Sequence, residues 1–292
     1  MVWTWERPYV LGILNVTPDS FSDGARYPTA DDAVAAGLRM VADGADAIDV
    51  GGASTRPGAS EIDPETERAR VLPVVSALAA RGLVVSIDST KAEVADAAMA
   101  AGAVILNDVG MGDSPAVLGA VAARHGGAYI AMHARGQPAT MRVLTEYGDV
   151  VADVCAELRE RVGAIERAGV PAGRIIVDPG IGFAKTADQS LKLLANVASL
   201  RALGYPVCVG PSRKSFIDAV DAYGLAWHVR PSSAGERIGG TAAAVTQCVL
   251  DGVEIVRVHD VAAMAQAARV ANAMRTRRVS AGIGAGRGGG GQ

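Results

Sequence analysis

Aromatic residues are scarce in this 292-residue chain, 4% of the total, and there are only three cysteines. Cys155, Cys208 and Cys248 stand far apart with no metal-ligand spacing, so neither a disulfide framework nor a thiolate metal site is expected. The four histidines, His125, His133, His228 and His259, offer no pair at zinc-site spacing, which argues against a zinc hydrolase. No apolar run approaches the roughly 20 residues that a membrane-spanning helix needs. The first eight residues lack the charged and apolar regions of a signal peptide. A net charge of −3 gives no support for a nucleic-acid partner. These exclusions point to a reduced, cytoplasmic enzyme that takes small-molecule substrates, with no nucleic acid and no membrane among its partners.

Half of the residues are hydrophobic, mostly Ala and Val, which suits helices packed tightly around a branched-residue sheet. Eight short apolar runs each end on polar residues and then give way to a helical stretch. The endings are Asn15, Asp49, Asp88, Asn107-Asp108, His133, Asp178, Ser212-Arg213-Lys214, and Arg257 with His259. Strands alternating with helices at this spacing predict a parallel sheet. Eight such units predict an α/β (β/α)8 TIM barrel, a single domain with long loops after the first two strands. Helices are expected over 31–43, 64–81, 93–101, 115–125, 149–168, 187–203, 241–251 and 262–274, with an interrupted helix over 215–237. The barrel is expected to span 1–276, and the Gly-rich stretch 277–292 to be a disordered tail. Gly284-x-Gly286-x-x-Gly289 in that tail matches a dinucleotide fingerprint only by chance, because no strand precedes it.

In such a barrel the C-terminal strand ends share one rim, so the polar endings become neighbours. The last two strands end on Ser212-Arg213-Lys214 and Arg257-Val258-His259, where phosphate groups commonly bind. Cations opening a helix oppose its dipole, which an anion would relieve. Asp88, Asn107 and Asp178 each follow an apolar run and should lie at the floor of the site. Buried carboxylates need donors, which a heterocycle with amino and ring N–H groups supplies; capping of the next helix is the alternative for each Asp taken singly. Asn15 is a candidate oxygen ligand for Mg²⁺ beside a pyrophosphate. His133 is a candidate for orienting a loop, and Phe183 for either a stacking wall or a plug in the barrel mouth.

The run Asn15-Val16-Thr17-Pro18-Asp19-Ser20-Phe21-Ser22-Asp23-Gly24 resembles the signature of the dihydropteroate synthase family. So does Asp49-Val50-Gly51-Gly52-x-Ser54-Thr55-Arg56-Pro57-Gly58. Further likenesses are Ser86-Ile87-Asp88-Ser89, Asn107-Asp108, Met132-His133, Asp178-Pro179-Gly180-x-Gly182-Phe183, Gly210-x-Ser212-Arg213-Lys214 and Arg257-Val258-His259-Asp260. They occur in family order over nearly the whole chain, and the ordered set is far more specific than any one motif.

The resemblance implies a transferase of folate biosynthesis that condenses 6-hydroxymethyl-7,8-dihydropterin pyrophosphate with p-aminobenzoate, and a target of sulfonamides. It implies pterin binding by Asp88, Asn107, Asp178, Lys214, Met132 and Gly210, with Arg257 over the pterin face. Pyrophosphate would meet Asn15, Arg56, Arg257 and His259, with Mg²⁺ as cofactor on Asn15. Thr55, Arg56, Pro57, Phe21, Phe183, Lys214 and Ser215 would border p-aminobenzoate. Lys214, Asp23, Arg56 and Arg257 would carry the catalysis, in a homodimer packed through late barrel helices.

Three positions depart from the family pattern: Ala53 replaces its usual Glu, Ala25 a common Gly, and Val109-Gly110-Met111 differs after Asn-Asp. Ala53 bears on anchoring of the second loop, and the departures keep a catalytically weak or inactive pterin-binding homologue as the alternative. A methyltransferase-type pterin barrel is disfavoured by the intact Ser212-Arg213-Lys214 and Thr55-Arg56-Pro57 clusters.

Overall fold

The computed structural model describes residues 3–17, 29–54, 62–110, 112–220 and 232–284, with side chains through residue 278. Eight strands alternate with helices: β1 (Tyr9–Asn15), β2 (Ala47–Gly51), β3 (Val85–Asp88), β4 (Ile105–Asp108), β5 (Ala128–Met132), β6 (Ile175–Asp178), β7 (Cys208–Val209) and β8 (Ile255–Val258). All pair in parallel, in the order β6-β5-β4-β3-β2-β1-β8-β7. A parallel bridge between Val177 and Val207 joins the two edges and closes the barrel. That seam is thin because Pro206 precedes β7 and has no N–H to give; its carbonyl accepts from Val177 instead, at 2.9 Å.

The helices are α1 (Ala30–Ala42), α2 (Pro64–Ala79), α3 (Ala92–Ala100), α4 (Pro115–Arg124), α5 (Val150–Arg167), α6 (Ala187–Ala195), α7 (Val197–Arg201), α8 (Phe216–Ala219), α9 (Ile238–Leu250) and α10 (Val261–Gly284). Their starts follow the side chains that satisfy the first-turn N–H groups. Thr29 and Thr186 form capping boxes with Asp32 and Gln189, and Asp63 and Ser114 cap helices that carry Pro in the first turn.

Three elements depart from the pattern expected of the sequence. The helix expected over 187–203 breaks at Asn196, whose side-chain amide donates to the Lys192 carbonyl at 2.8 Å, in competition with the helical ladder. α9 begins at Ile238, ahead of the start expected at 241. A Cβ on Gly240 would come within 2.4 Å of Ile217, so this glycine lets α8 lie against the first turn of α9. α10 runs past Met274 to Gly284, because Arg275 to Ser280 contains no breaker.

Side chains alternate across each strand with a period of two, and that parity builds the site. Tyr9, Leu11, Ala47, Ile105, Ile130, Ile176, Cys208 and Ile255 form one buried apolar cluster inside the barrel. Two residues further along the same strands stand Ile13, Asp49, Asn107, Met132, Asp178, Gly210 and Arg257. An apolar floor therefore carries a polar layer directly above it. The opposite parity faces the helices in the larger core, with Leu14, Ile48, Val50, Ile87, Leu106 and Val177 among its members. Asp108 has that outward parity: it bonds Tyr129 and Arg161 between strand and helix, apart from its neighbour Asn107.

Candidate active site

Four strands contribute to one chain of polar contacts at the barrel mouth. Arg257 on β8 donates through Nε to Asp49 Oδ2 and through Nη2 to Asp88 Oδ2, both at 2.6 Å. Asn107 on β4 donates its amide to the same Asp49 oxygen at 2.8 Å. Against the burial that lowers it, the charges of Asp49 and Asp88 hold the Arg257 guanidinium above its ordinary value. Burial pushes Asp88 up to about 7, opposed by Arg257 and reinforced by the Asp49 charge. Asp49 is fully buried, whereas Asp88 keeps 10% of its side chain exposed, so Asp88 is the acid that faces the mouth and Asp49 the one that orients its neighbours.

On the far side Asp178 ends β6. Its Oδ1 accepts from the Gly180 N–H at 2.7 Å, and burial raises its pKa while that bond and the charges of Arg257 and Lys214 lower it. The chain turns sharply here, and only glycine fits at 180: its φ is 67° and a Cβ would lie 1.9 Å from the His133 carbonyl oxygen. Phe183 on this turn packs with Val109, Met132, Met141 and Ala184, and the Lys214 Nζ stands 4.1 Å from its ring centroid. The ring thus plugs one side of the mouth and backs Lys214 at the same time. Gly210 stands beside Arg257, with the position of its absent Cβ 3.8 Å from that of Arg257. Ser215 is exposed at the start of α8.

The Ser212-Arg213-Lys214 cluster divides. Ser212 Oγ accepts from the His259 backbone N–H at 3.1 Å and lies 3.0 Å from its Nδ1. The hydroxyl thus ties the turn after β7 to the residue that follows β8. Arg213 adopts a φ of 60° and turns to Asp260, with Nε at 2.9 Å and Nη2 at 2.6 Å from its two oxygens. Arg213, read with the cations of this cluster, is held by Asp260 within the fold.

Asn15 ends β1, and its amide oxygen and Asp88 both flank Gly51, whose Cβ would lie 3.4 Å from Asn15 Oδ1. Among the described residues no three His, Cys, Asp or Glu side chains converge as a metal cage. One neutral oxygen ligand suits Mg²⁺ that retains its waters and arrives on a phosphate, and does not suit a resident all-protein site.

A model of the pterin binding enzyme family matches residues 11–259. The dihydropteroate synthase of Synechocystis sp. is 45% identical over 271 residues, 92% of this chain and 91% of that one. The chain belongs to the dihydropteroate synthase family. A Yersinia pestis dihydropteroate synthase solved with a sulfonamide drug superposes with a TM-score of 0.85 at 34% identity, covering 95% of this chain and 97% of that one. The Xanthomonas albilineans enzyme solved with 7,8-dihydropteroate gives 0.79 at 38% identity, covering 94% and 95%. The barrel, the family and the transferase class expected from the motifs all stand.

For a dihydropteroate synthase, the described residues bring together Asp88, Asn107, Asp178, Met132, Gly210, Lys214, Arg257 and Phe183 around one mouth, with Asn15 and the Ser212–His259 pair on its rim. Phe21, Asp23, Thr55, Arg56 and Pro57 lie outside the described residues, as do Ala25 and Met111. Ala53 is described, and the start of its loop is held without a carboxylate at 53: Arg70 Nη1 donates to the Gly52 carbonyl at 3.0 Å, and a Cβ on Gly52 would meet Val71 at 2.7 Å.

Two groups received no role from the sequence, although Asp49 was named among the strand endings. Asp49 ends a strand like its neighbours, and its inward parity was the signal that marks it as part of the site. Lys185 gave no signal: it follows Phe183-Ala184 on a loop and reads as a surface lysine, yet it is buried. Among the described residues no helix is long and apolar enough to cross a membrane.

Proposed function

We propose that this chain condenses 6-hydroxymethyl-7,8-dihydropterin pyrophosphate with p-aminobenzoate, giving 7,8-dihydropteroate and pyrophosphate. The observation that carries the reading is the continuous contact chain Asn107–Asp49–Arg257–Asp88, with Asp178 in the field of both Arg257 and Lys214. A flat heterocycle with several N–H groups supplies the donors that buried Asp88, Asp178 and the Asn107 amide oxygen would accept. Met132, Gly210 and Lys214 would border it, with Arg257 over its face.

The reaction breaks the bond between the pterin methylene carbon and the pyrophosphate oxygen. The p-aminobenzoate nitrogen bonds to that carbon and loses a proton to solvent. The electron-rich ring spreads the positive charge left on the methylene, and the carboxylate of Asp23 would stabilise it. Lys214, Arg56, Arg257 and His259 offset the negative charge of the leaving pyrophosphate. Mg²⁺, held by Asn15 and the pyrophosphate, would supply further positive charge at the leaving group. No protein nucleophile is needed. Thr55, Arg56, Pro57, Phe21, Phe183, Lys214 and Ser215 would form the p-aminobenzoate side, where a sulfonamide competes.

The enzyme would work in the cytoplasm as a homodimer packed through its late helices, with no nucleic-acid or membrane partner. The Arg70–Gly52 contact favours an active enzyme over an inactive pterin-binding homologue, since it supplies an anchor at the loop that Ala53 leaves without its usual carboxylate. The test is pyrophosphate release by the purified protein with each substrate alone, both together, and both without Mg²⁺. Release requiring both substrates and Mg²⁺ is expected; binding of the pterin pyrophosphate with no release on adding p-aminobenzoate would overturn the reading.

A further inference from the structure

Behind Phe183 lies a polar chain, buried at Lys185 and His133, that the reaction above does not use. Lys185 Nζ donates to the Phe183 carbonyl at 2.9 Å and lies 2.9 Å from His133 Nδ1. His133 Nε2 in turn lies 2.9 Å from Glu157 Oε2, and Arg135 also bonds Glu157. With Nδ1 accepting from Lys185, the imidazole carries its proton on Nε2 and donates to the carboxylate, which matches a ring that burial pushes down to about 4.

The loop between Asp178 and Thr186 is fixed along its length. Gly180 N–H goes to Asp178 at 2.7 Å, Gly182 N–H to Ser190 Oγ at 3.3 Å, and Tyr147 Oη donates to the Ala184 carbonyl at 3.0 Å. Ala184, between the two held carbonyls, sits at a φ of 49°, a conformation that a non-glycine residue adopts only when its surroundings enforce it. Lys185 supplies one of the two contacts that enforce it, and Phe183 is the residue it holds. The ring of Phe183 in turn backs Lys214.

We infer that Lys185 is a positioning residue for the p-aminobenzoate side of the site: by holding the Phe183 carbonyl against buried His133, which Glu157 orients, it sets the Phe183 ring beneath Lys214. Burial pushes the Lys185 ammonium down to about 7, against the charges of Asp178 and Glu157. A buried lysine so perturbed, beside a cleft, is a candidate for a role in the site. The inference rests on the proposed reaction, since it names Phe183 as a wall of the p-aminobenzoate pocket.

The test is steady-state kinetics on Lys185→Met and Tyr147→Phe, with thermal melting of each. Wild-type turnover is the control for the reaction itself: without it the proposed function fails and not the role of Lys185. Lys185→Met is expected to raise the KM for p-aminobenzoate about tenfold, the scale of one lost hydrogen bond. The KM for the pterin pyrophosphate should stay within about twofold and kcat within about threefold. Tyr147→Phe removes only a hydroxyl, so it remains informative if the lysine variant fails to fold; it should raise the same KM about threefold. A p-aminobenzoate KM that stays within about twofold in the folded variants, or a loss confined to kcat, would overturn the inference.

Discussion

Arg257 and Asp88, 169 residues apart in sequence, lie 2.6 Å apart at the barrel mouth, and the same guanidinium also holds Asp49. One cation therefore serves two acids, of which only Asp88 reaches the mouth. This arrangement offsets the cost of burying two carboxylates and leaves them oriented toward any ligand that offers N–H groups.

Removing the shared cation should expose that dependence. Arg257→Ala leaves Asp49 and Asp88 unpaired in the interior and is expected to cost about 3–5 kcal/mol of stability. Urea unfolding measures it directly. A variant as stable as the wild type would mean that the acids do not rely on Arg257.

Lys214 should behave differently. Its ammonium packs over the Phe183 ring at the mouth, whereas it is Arg257 that ties β8 to β2 and β3. Lys214→Ala is expected to lower turnover by at least about a hundredfold, the scale on which losing one oriented donor acts. Its melting temperature should shift little. Turnover like that of the wild type would remove Lys214 from the mechanism.

Asp49 separates orientation from contact. Asp49→Asn keeps the shape but weakens the grip on Arg257 Nε and on the Asn107 amide. Misplacing both by a fraction of an ångström is expected to reduce kcat/KM about a hundredfold. If activity survives at the wild-type level, the internal chain of contacts is not what aligns the site.

His133 predicts a slope of stability with pH. The unfolded chain protonates this histidine near pH 6.5, whereas the native ring, pushed down to about 4 by burial and by the Lys185 charge, takes up a proton only well below that. Between those values the unfolded state binds more protons, so stability falls as pH drops from about 6.5 to about 4. Urea midpoints across this range should fall more steeply in the wild type than in His133→Gln. Equal slopes would show that the ring is not buried neutral.

Much of this was legible in the sequence because barrel strands end where apolar runs meet polar residues, as at Asp88, Asn107, Asp178 and Arg257. Parity was the less visible part: Asn107 and Asp108 are adjacent, yet one faces the mouth and the other Tyr129 and Arg161. The cations of Ser212-Arg213-Lys214 looked alike, and only the positive φ at Arg213 and the position of Asp260 separate them. Asn196 breaks a strongly periodic helix through a single side-chain bond to Lys192. Lys185 was not legible at all, because its burial depends on a turn that Gly180 and Ala184 shape and on His133 and Glu157 from elsewhere in the chain.

The central claim is that the strand-end acids, amide and cations form one site for the condensation. Its most direct test measures both products, 7,8-dihydropteroate and pyrophosphate, from the wild type and from Asp178→Asn under identical conditions. The account predicts equal amounts of the two from the wild type, and a joint fall of at least about a hundredfold in the variant. Pyrophosphate formed without dihydropteroate, or a variant that keeps wild-type output of both, would contradict it.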